Sequence, residues 1–515
     1  MHLKETLINR KYIITLSLSI LIYTLIFSYF TYLKHYNLSS YGWDLGVFNQ
    51  LFYSSTYGEK PLYYTPDLYM NTQGNYFAIH FSPILFTLFP PYALHPDAAT
   101  LLTAKCFVLA LAALPLFYLT RELTGSPKIA LAVSLSYLLH PGVQGANWFD
   151  FQPQVFIPLL VFSTYLMLIK ARWRLYLPLL LLTLSIQEHV FSIMMSVTLG
   201  YLLVAQRRER PLSMKKNTEM KAVMATLVIC VIFFGVSRGY IESFPIEHEF
   251  SDVYKASGVF SVIGFKGDTL QIPLYIVGHL FESLRALAHD LHLKLLYMAL
   301  MFAPLLLLPL KDRFIVANLA LFLPFLASNY NAYYMVGSHY ALYLLPSIFI
   351  SLAYSLGRRD VDANRLARRM IMASALTILV VSPISPISAR LNSYGYLFWY
   401  PKPNNNPVDI ARVHDVLGLV PGDTPILTQN HIFPHASCSV DAYLIPVKSY
   451  NPEQTEIIEQ YVDSLIGRSD VVLLDLTSVD SWTRYTLERL RTSPDFAVIA
   501  ISHGTIMYSR VTPGE

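Results

Sequence analysis

Charge is what this chain has least of. Asp, Glu, Lys and Arg together make up 14% of its 515 residues, against about a quarter in an ordinary soluble domain, which excludes a protein solvated by water on every side. Cysteine is scarce too. Of three cysteines, Cys106 and Cys230 lie in apolar runs and only Cys438 in the polar tail, so no disulfide framework holds that tail together. A formal net charge of +4 is too small for a nucleic-acid partner. The sequence has no glycine-rich phosphate loop and no internal repeat, which removes P-loop chemistry and solenoid architectures. What it does have is 54% hydrophobic side chains and a mean hydropathy of +0.42, the composition of a membrane protein.

A bilayer core takes about 20 apolar residues per helix. The first run, 11–33, follows Lys4, Arg10 and Lys11 and has no small-residue cleavage site after a short core, so it reads as a retained helix with its N-terminus inside. Further runs fall at 98–119, 128–146, 153–170, 221–241, 292–310, 313–329, 338–356 and 370–389. The stretch 173–205 is too long for one helix and is flanked by Lys170, Arg172 and Arg174 before it and by Arg207, Arg208, Arg210, Lys215 and Lys216 after it. If both flanks are cytoplasmic, the chain goes out and returns through two short helices that turn near Gln187, Glu188 and His189. About eleven crossings result, and this arrangement gathers 21 of the 38 Lys and Arg into six short cytoplasmic segments.

An odd number of crossings puts the tail outside the plasma membrane. The expected organisation is a transmembrane domain over 1–389 with long outer loops at 34–97 and 242–291, then a small extracytoplasmic α/β domain over 390–515. In the tail, helical patterns at 408–418 and 480–491 alternate with β-rich runs at 424–428, 470–476, 495–501 and 504–510, after a linker marked by Pro401, Pro403 and Pro407.

The outer loops hold the residues that could do chemistry. Asp44 opens a short amphipathic pattern in which Leu45, Phe48, Leu51 and Phe52 share a face, so it is either a helix N-cap or a reactive carboxylate. Twelve aromatic residues between 34 and 80 serve as interfacial anchors or as platforms for sugar rings. His80 precedes an apolar stretch, 81–94, too short to span. Asp150 sits between two helices on the outer face as a solvated acid or a functional one. Glu188, at the apex of two short apolar helices, is costly unless it is paired or lines a wet cavity. Lys105 is expected to snorkel out of its helix. Arg238 stands where a lipid phosphate would lie. The leucine stripe around His279, Glu282, His289 and Asp290 reads as an interfacial helix; His289 and His292 have paired-ligand spacing but no third ligand in view.

Taken in order, Trp43-Asp44-Leu45-Gly46, His80-Phe81-Ser82-Pro83, Phe149-Asp150-Phe151, Gln187-Glu188-His189 and Pro434-His435-Ala436-Ser437 resemble the DUF2079 family of polytopic membrane proteins, which is similar in architecture to the GT-C glycosyltransferases. The resemblance runs over most of the chain. It implies a GT-C-like helical fold, a polyprenyl-phosphate sugar donor and inverting transfer to an acceptor that is a glycan, a lipid or a protein. Asp44 is then the expected base, with Asp150 and Glu188 as further catalytic candidates and Trp43, His80, His189, Arg238 and His339 as substrate contacts. This chain departs from the family pattern at Gln152 and Gln154, where His and Glu are typical, and at Gln187 and His189, which flank Glu188 where Lys and Asp are typical. Those changes weaken the case for a divalent metal, and nothing else in the sequence calls for a cofactor. Two other classes stay open. A secondary transporter also uses broken helices and intramembrane acids, though no matched pair of interrupted helices recurs in two halves; a non-catalytic surface binding or assembly protein would work through its tail.

Overall fold

The computed structural model describes residues 2–205, 216–245, 259–265, 271–357, 363–391, 397, 406–447, 455–502 and 504–511. The basic cluster at 206–215, parts of the loop expected at 242–291 and linker residues 401–405 lie outside the described residues.

The chain is mostly helical, and its first helix shows why it needs lipid. Leu16, Ile20, Tyr23 and Phe27 recur at helical spacing and are buried, yet the opposite face carries Ile14, Leu18, Leu21 and Leu25, all exposed. Apolar residues all round a helix are stable only in a core or a bilayer. Among the described residues three helical stretches are long and apolar enough to cross a membrane alone: Arg10–Tyr36, Ala98–Thr124 and Met220–Ile241. Shorter apolar helices of 10–17 residues fill much of the remainder.

The stretch 173–205 divides as expected into helices Trp173–Leu184 and Val190–Ala205, with Glu188 in the turn between them. Other runs are more broken than hydropathy implied. The run at 128–146 splits into Pro127–Leu138 and Pro141–Trp148, because Pro141 disfavours helical geometry at the preceding His140. The run at 338–356 starts with a 3-10 segment, His339–Tyr343, before the helix Leu345–Gly357. Lys105 does not snorkel: it is fully buried and its Nζ donates to the Phe149 carbonyl at 2.5 Å. Neighbouring helices pack too closely for its side chain to reach water, so a backbone carbonyl takes its place.

The tail forms a five-stranded sheet from β1 (Ile426–Thr428), β2 (Ala442–Leu444), β3 (Val471–Asp475), β4 (Phe496–Ser502) and β5 (Thr505–Arg510), in the order β2-β1-β3-β5-β4. β1 runs parallel to β2 and β3, with Ile426 opposite both Ala442 and Val471, while β5 pairs antiparallel with β3 and β4. β3 is buried at every position, as a central strand covered on both faces must be. Helices Pro407–Leu417, Thr455–Arg468 and Ser481–Thr492 accompany the sheet.

The sheet domain is seated directly on the loop that follows the first helix. Gln50 Nε2 donates to the carbonyls of Ser439, Val440 and Ala442 at 3.1, 3.2 and 2.9 Å, and Asn49 Nδ2 donates to Ser437 Oγ at 2.9 Å. Both amides are fully buried, so each hydrogen bond is one that water cannot replace. At the end of the first helix, His35 stacks on His435 with ring centroids 3.9 Å apart, and His414 Nε2 contacts the Tyr36 carbonyl at 2.8 Å. Helix-terminal carbonyls need such partners.

Candidate functional site

Asp44 lies in a single π-helical turn, Gly42–Gly46, that runs into the helix Val47–Thr56. Such turns are rare and common at functional sites. Leu45, Phe48, Leu51 and Phe52 do share a face, but it is buried within the protein, not laid on the membrane surface. The glycines of the turn answer to the tail. A Cβ on Gly46 would come within 2.5 Å of Phe433, and the Gly42 amide donates to Asn430 Oδ1 at 2.8 Å. Close approach of 430–433 therefore requires small residues on both sides of Asp44.

The loop at 149–152 holds this turn from below. Gln152 Nε2 donates to Asp44 Oδ1 at 2.5 Å, while Asp150 Oδ2 accepts the Tyr41 amide at 2.6 Å. The other Asp150 oxygen meets Lys34 Nζ at 2.7 Å in a fully buried ion pair. Asp150 is thus a buried brace for the Asp44 turn and not a solvated loop acid. Its partner Lys34 escaped the sequence reading; the available signal was a lone cation at the end of an apolar helix.

Glu188 forms a second cluster. Its Oε1 lies 2.9 Å from His80 Nδ1, its Oε2 accepts the Phe81 amide at 3.1 Å, and His189 Nδ1 is 3.6 Å away. His189 Nε2 in turn contacts the Tyr343 hydroxyl. The amides that depart from the family pattern meet each other here, Gln154 Nε2 donating to Gln187 Oε1 at 2.5 Å. The two amides make a neutral pair. His339 is buried against Phe149, with ring centroids 5.0 Å apart.

Trp43, His80 and Arg238 line one cavity of about 490 Å³, together with Gln152, Tyr64, Asp67 and Tyr76. Arg238 pairs with Glu242 at 2.9 Å. Gln152 joins the two halves of the site, for it lies in the cavity wall and binds Asp44. Asp44, Asp150, Glu188, His189 and His339 are not in that wall, and Asp44 reaches it through Gln152. Two polar, non-aromatic wall residues were not singled out from sequence: Gln152, noted only as a departure, and Asp67, an acid embedded in the aromatic stretch 63–76. Among the described residues no group of three or more His, Cys, Asp or Glu is placed to hold a metal ion.

The arrangement offers a carboxylate beside an aromatic-lined cavity with a guanidinium and an imidazole in its wall, at the C-terminal end of the helix Lys216–Ile241. Among solved structures, the chain superposes on the crystal structure of ArnT from Cupriavidus metallidurans bound to undecaprenyl phosphate, with a TM-score of 0.51 and 12% identity, over 96% of this chain and 98% of that one. At that identity the likeness is one of fold. No curated protein matches the sequence. The family of predicted membrane proteins designated DUF2079 matches residues 34–506, and with nearly the whole chain covered, the protein belongs to that family.

Proposed function

We propose that this membrane protein is a glycosyltransferase that moves a sugar from a polyprenyl-phosphate donor to an acceptor on the outer face. The observation that carries the reading is the junction of Asp44, through Gln152, with the cavity that holds Trp43, His80 and Arg238. The ArnT-like fold supports it, since that protein was solved with undecaprenyl phosphate bound.

In the proposed reaction Asp44 takes the proton of the acceptor's nucleophilic group, ordinarily possible for an aspartate ionised at neutral pH. The acceptor atom bonds to the anomeric carbon from the face opposite the phosphate, with inversion. The bond from that carbon to the phosphate oxygen breaks, and the phosphate leaves with the electron pair, stabilised by Arg238. A phosphate leaving group needs no general acid, so a single base suffices. Asp150 keeps the Asp44 turn in place from its pair with Lys34, and Glu188 orients His80 toward the donor.

Asp44→Asn preserves shape and removes the base. In a reconstituted assay with lipid-linked donor it should lower turnover by about 10²–10⁴-fold while donor still binds. Full turnover in that variant would reject Asp44 as base, and a wild-type protein that neither binds nor consumes any lipid-linked sugar would reject the class. The outward orientation is tested separately: Ser481→Cys, on an exposed helix of the tail, should react with a membrane-impermeant thiol reagent on intact cells.

A further inference from the structure

Two parts of the chain far apart in sequence meet at the Asp44 turn. Gln152 binds the carboxylate, and the backbone beneath it answers to the tail. The first amides of a helical turn have no partner within it, and a Ser, Thr, Asn or Asp just before the turn is the usual local remedy. Here Tyr41 occupies that position. The Gly42 amide turns instead to Asn430, donating at 2.8 Å both to its carbonyl and to its Oδ1. At the other end of the turn, the Phe433 ring fills the space that a Cβ on Gly46 would need. Asn430 and Phe433 therefore grip the turn Gly42–Gly46 from both ends, with Asp44 between them.

Asn430 is itself held in place. Before it, Gln429 Nε2 donates to the carbonyls of Asp475 and Ser478 at 3.2 and 2.6 Å, and Gln429 Oε1 accepts the Asp475 amide at 2.5 Å. After it, His431 meets the Asp475 carboxylate at 3.1 Å. Both neighbours of Asn430 are thus tied to the last residue of β3, a strand buried at every position. Phe433 is fully buried in the tail with Val413 and Leu444. A loop anchored in this way passes the rigidity of the sheet to whatever it touches, and a site supported by rigid elements keeps its geometry better than one on a loose loop.

Resting on the transferase reading above, we infer that the tail is part of the catalytic machinery and that Asn430 is a positioning residue: through the Gly42 amide it sets the backbone of the Asp44 turn against the cavity. It touches no reacting atom. Its effect is geometric, since a base displaced by about an ångström from its proton loses up to about a hundredfold in rate. Donor binding is spread over the whole cavity wall, of which Trp43 lies in the turn, so binding suffers less than the chemical step.

The test uses the full-length protein in lipid nanodiscs with a lipid-linked sugar donor. Asn430→Ala removes one of the two acceptors and should lower kcat about threefold to tenfold while affinity for undecaprenyl phosphate stays within about threefold. Asn430→Asp keeps the acceptor and should recover most of the loss. Gly46→Ala presses on the same contact from the other side; it should lower kcat at least as much, and it serves if Asn430→Ala does not fold. In an Asp44→Asn background either substitution should cost less than about a further twofold, because a residue that acts through Asp44 then has no base to position. Independently of turnover, hydrogen exchange in peptides spanning 42–46 should quicken in both variants while β3 stays protected. Equal losses with and without Asp44, no recovery in Asn430→Asp, or wild-type kcat and exchange in both variants overturns this inference and leaves the transferase reading standing. A wild-type protein that consumes no lipid-linked sugar overturns that reading and the catalytic role of Asn430 with it.

Discussion

Gln152 Nε2 donates to Asp44 Oδ1 at 2.5 Å, so an amide from the loop after one helix orients a carboxylate more than a hundred residues earlier. A hydrogen bond to a charged group is worth about 1.5–3 kcal/mol. Gln152→Leu should therefore lower turnover of a lipid-linked donor about tenfold or more, whereas Gln152→His, which restores the family's usual residue and keeps a donor, should recover most of it. Steady-state kinetics on the two variants decide the point, and equal losses would show that Gln152 acts through packing alone.

The Lys34–Asp150 pair is buried on both sides, with side chains 5% and 1% exposed. Breaking such a pair strands a charge and costs about 3–5 kcal/mol. Lys34→Met should lower the thermal midpoint in detergent by many degrees, and Lys34→Met combined with Asp150→Leu should regain a large part of that loss. A double variant no better than the single one would mean that the bond from Asp150 to the Tyr41 amide matters more than the charge.

Gln154 Nε2 donates to Gln187 Oε1 at 2.5 Å. Gln154→Glu alone places a buried carboxylate opposite an amide and should destabilise by about 1–3 kcal/mol, while Gln154→Glu with Gln187→Lys supplies an opposite charge. The coupling energy from a double-mutant cycle should be favourable by at least about 1 kcal/mol. Strict additivity would dissociate the two substitutions.

In the tail, burial alone would raise Asp475, but its hydrogen bond to His431 at 3.1 Å and two more from Thr477 outweigh it and hold the carboxyl below its ordinary value. For a depressed carboxylate the stabilisation is fully present above the unfolded value, near pH 4, and is lost as pH falls through the lower folded value. Thermal melting across pH 3–7 should show the wild-type protein losing stability only toward the acid end. His431→Leu removes the largest of the lowering influences, so the part of the acid loss that comes from Asp475 should shrink and the profile should flatten at its acid end; superimposable profiles would refute this.

The sequence by itself determined the environment and the local elements. A low charge content, apolar runs and clustered basic residues specify a membrane helix bundle, because transfer of a side chain into lipid depends on its own chemistry and little on its neighbours. The turn at Gln187-Glu188-His189 was legible for the same reason, as were β1, β3, β4 and β5, whose β-branched runs carry their own signal. β2, three residues long, and the helix Thr455–Arg468 were not read. β2 gains its hydrogen bonds from β1 and from no feature of its own.

Only the tertiary structure decided which acids share a site. Asp44, Asp150 and Glu188 were all catalytic candidates by sequence, yet one meets an amide beside a cavity, one is neutralised by Lys34, and one is held by His80 and a backbone amide. Lys34 and Gln152 acquire their roles from partners on other elements or from the cavity those elements enclose. Whether a buried charge braces, binds or reacts depends on what stands within a few ångströms of it, and chain folding alone brings Gln152 to Asp44 and the tail to Gly46.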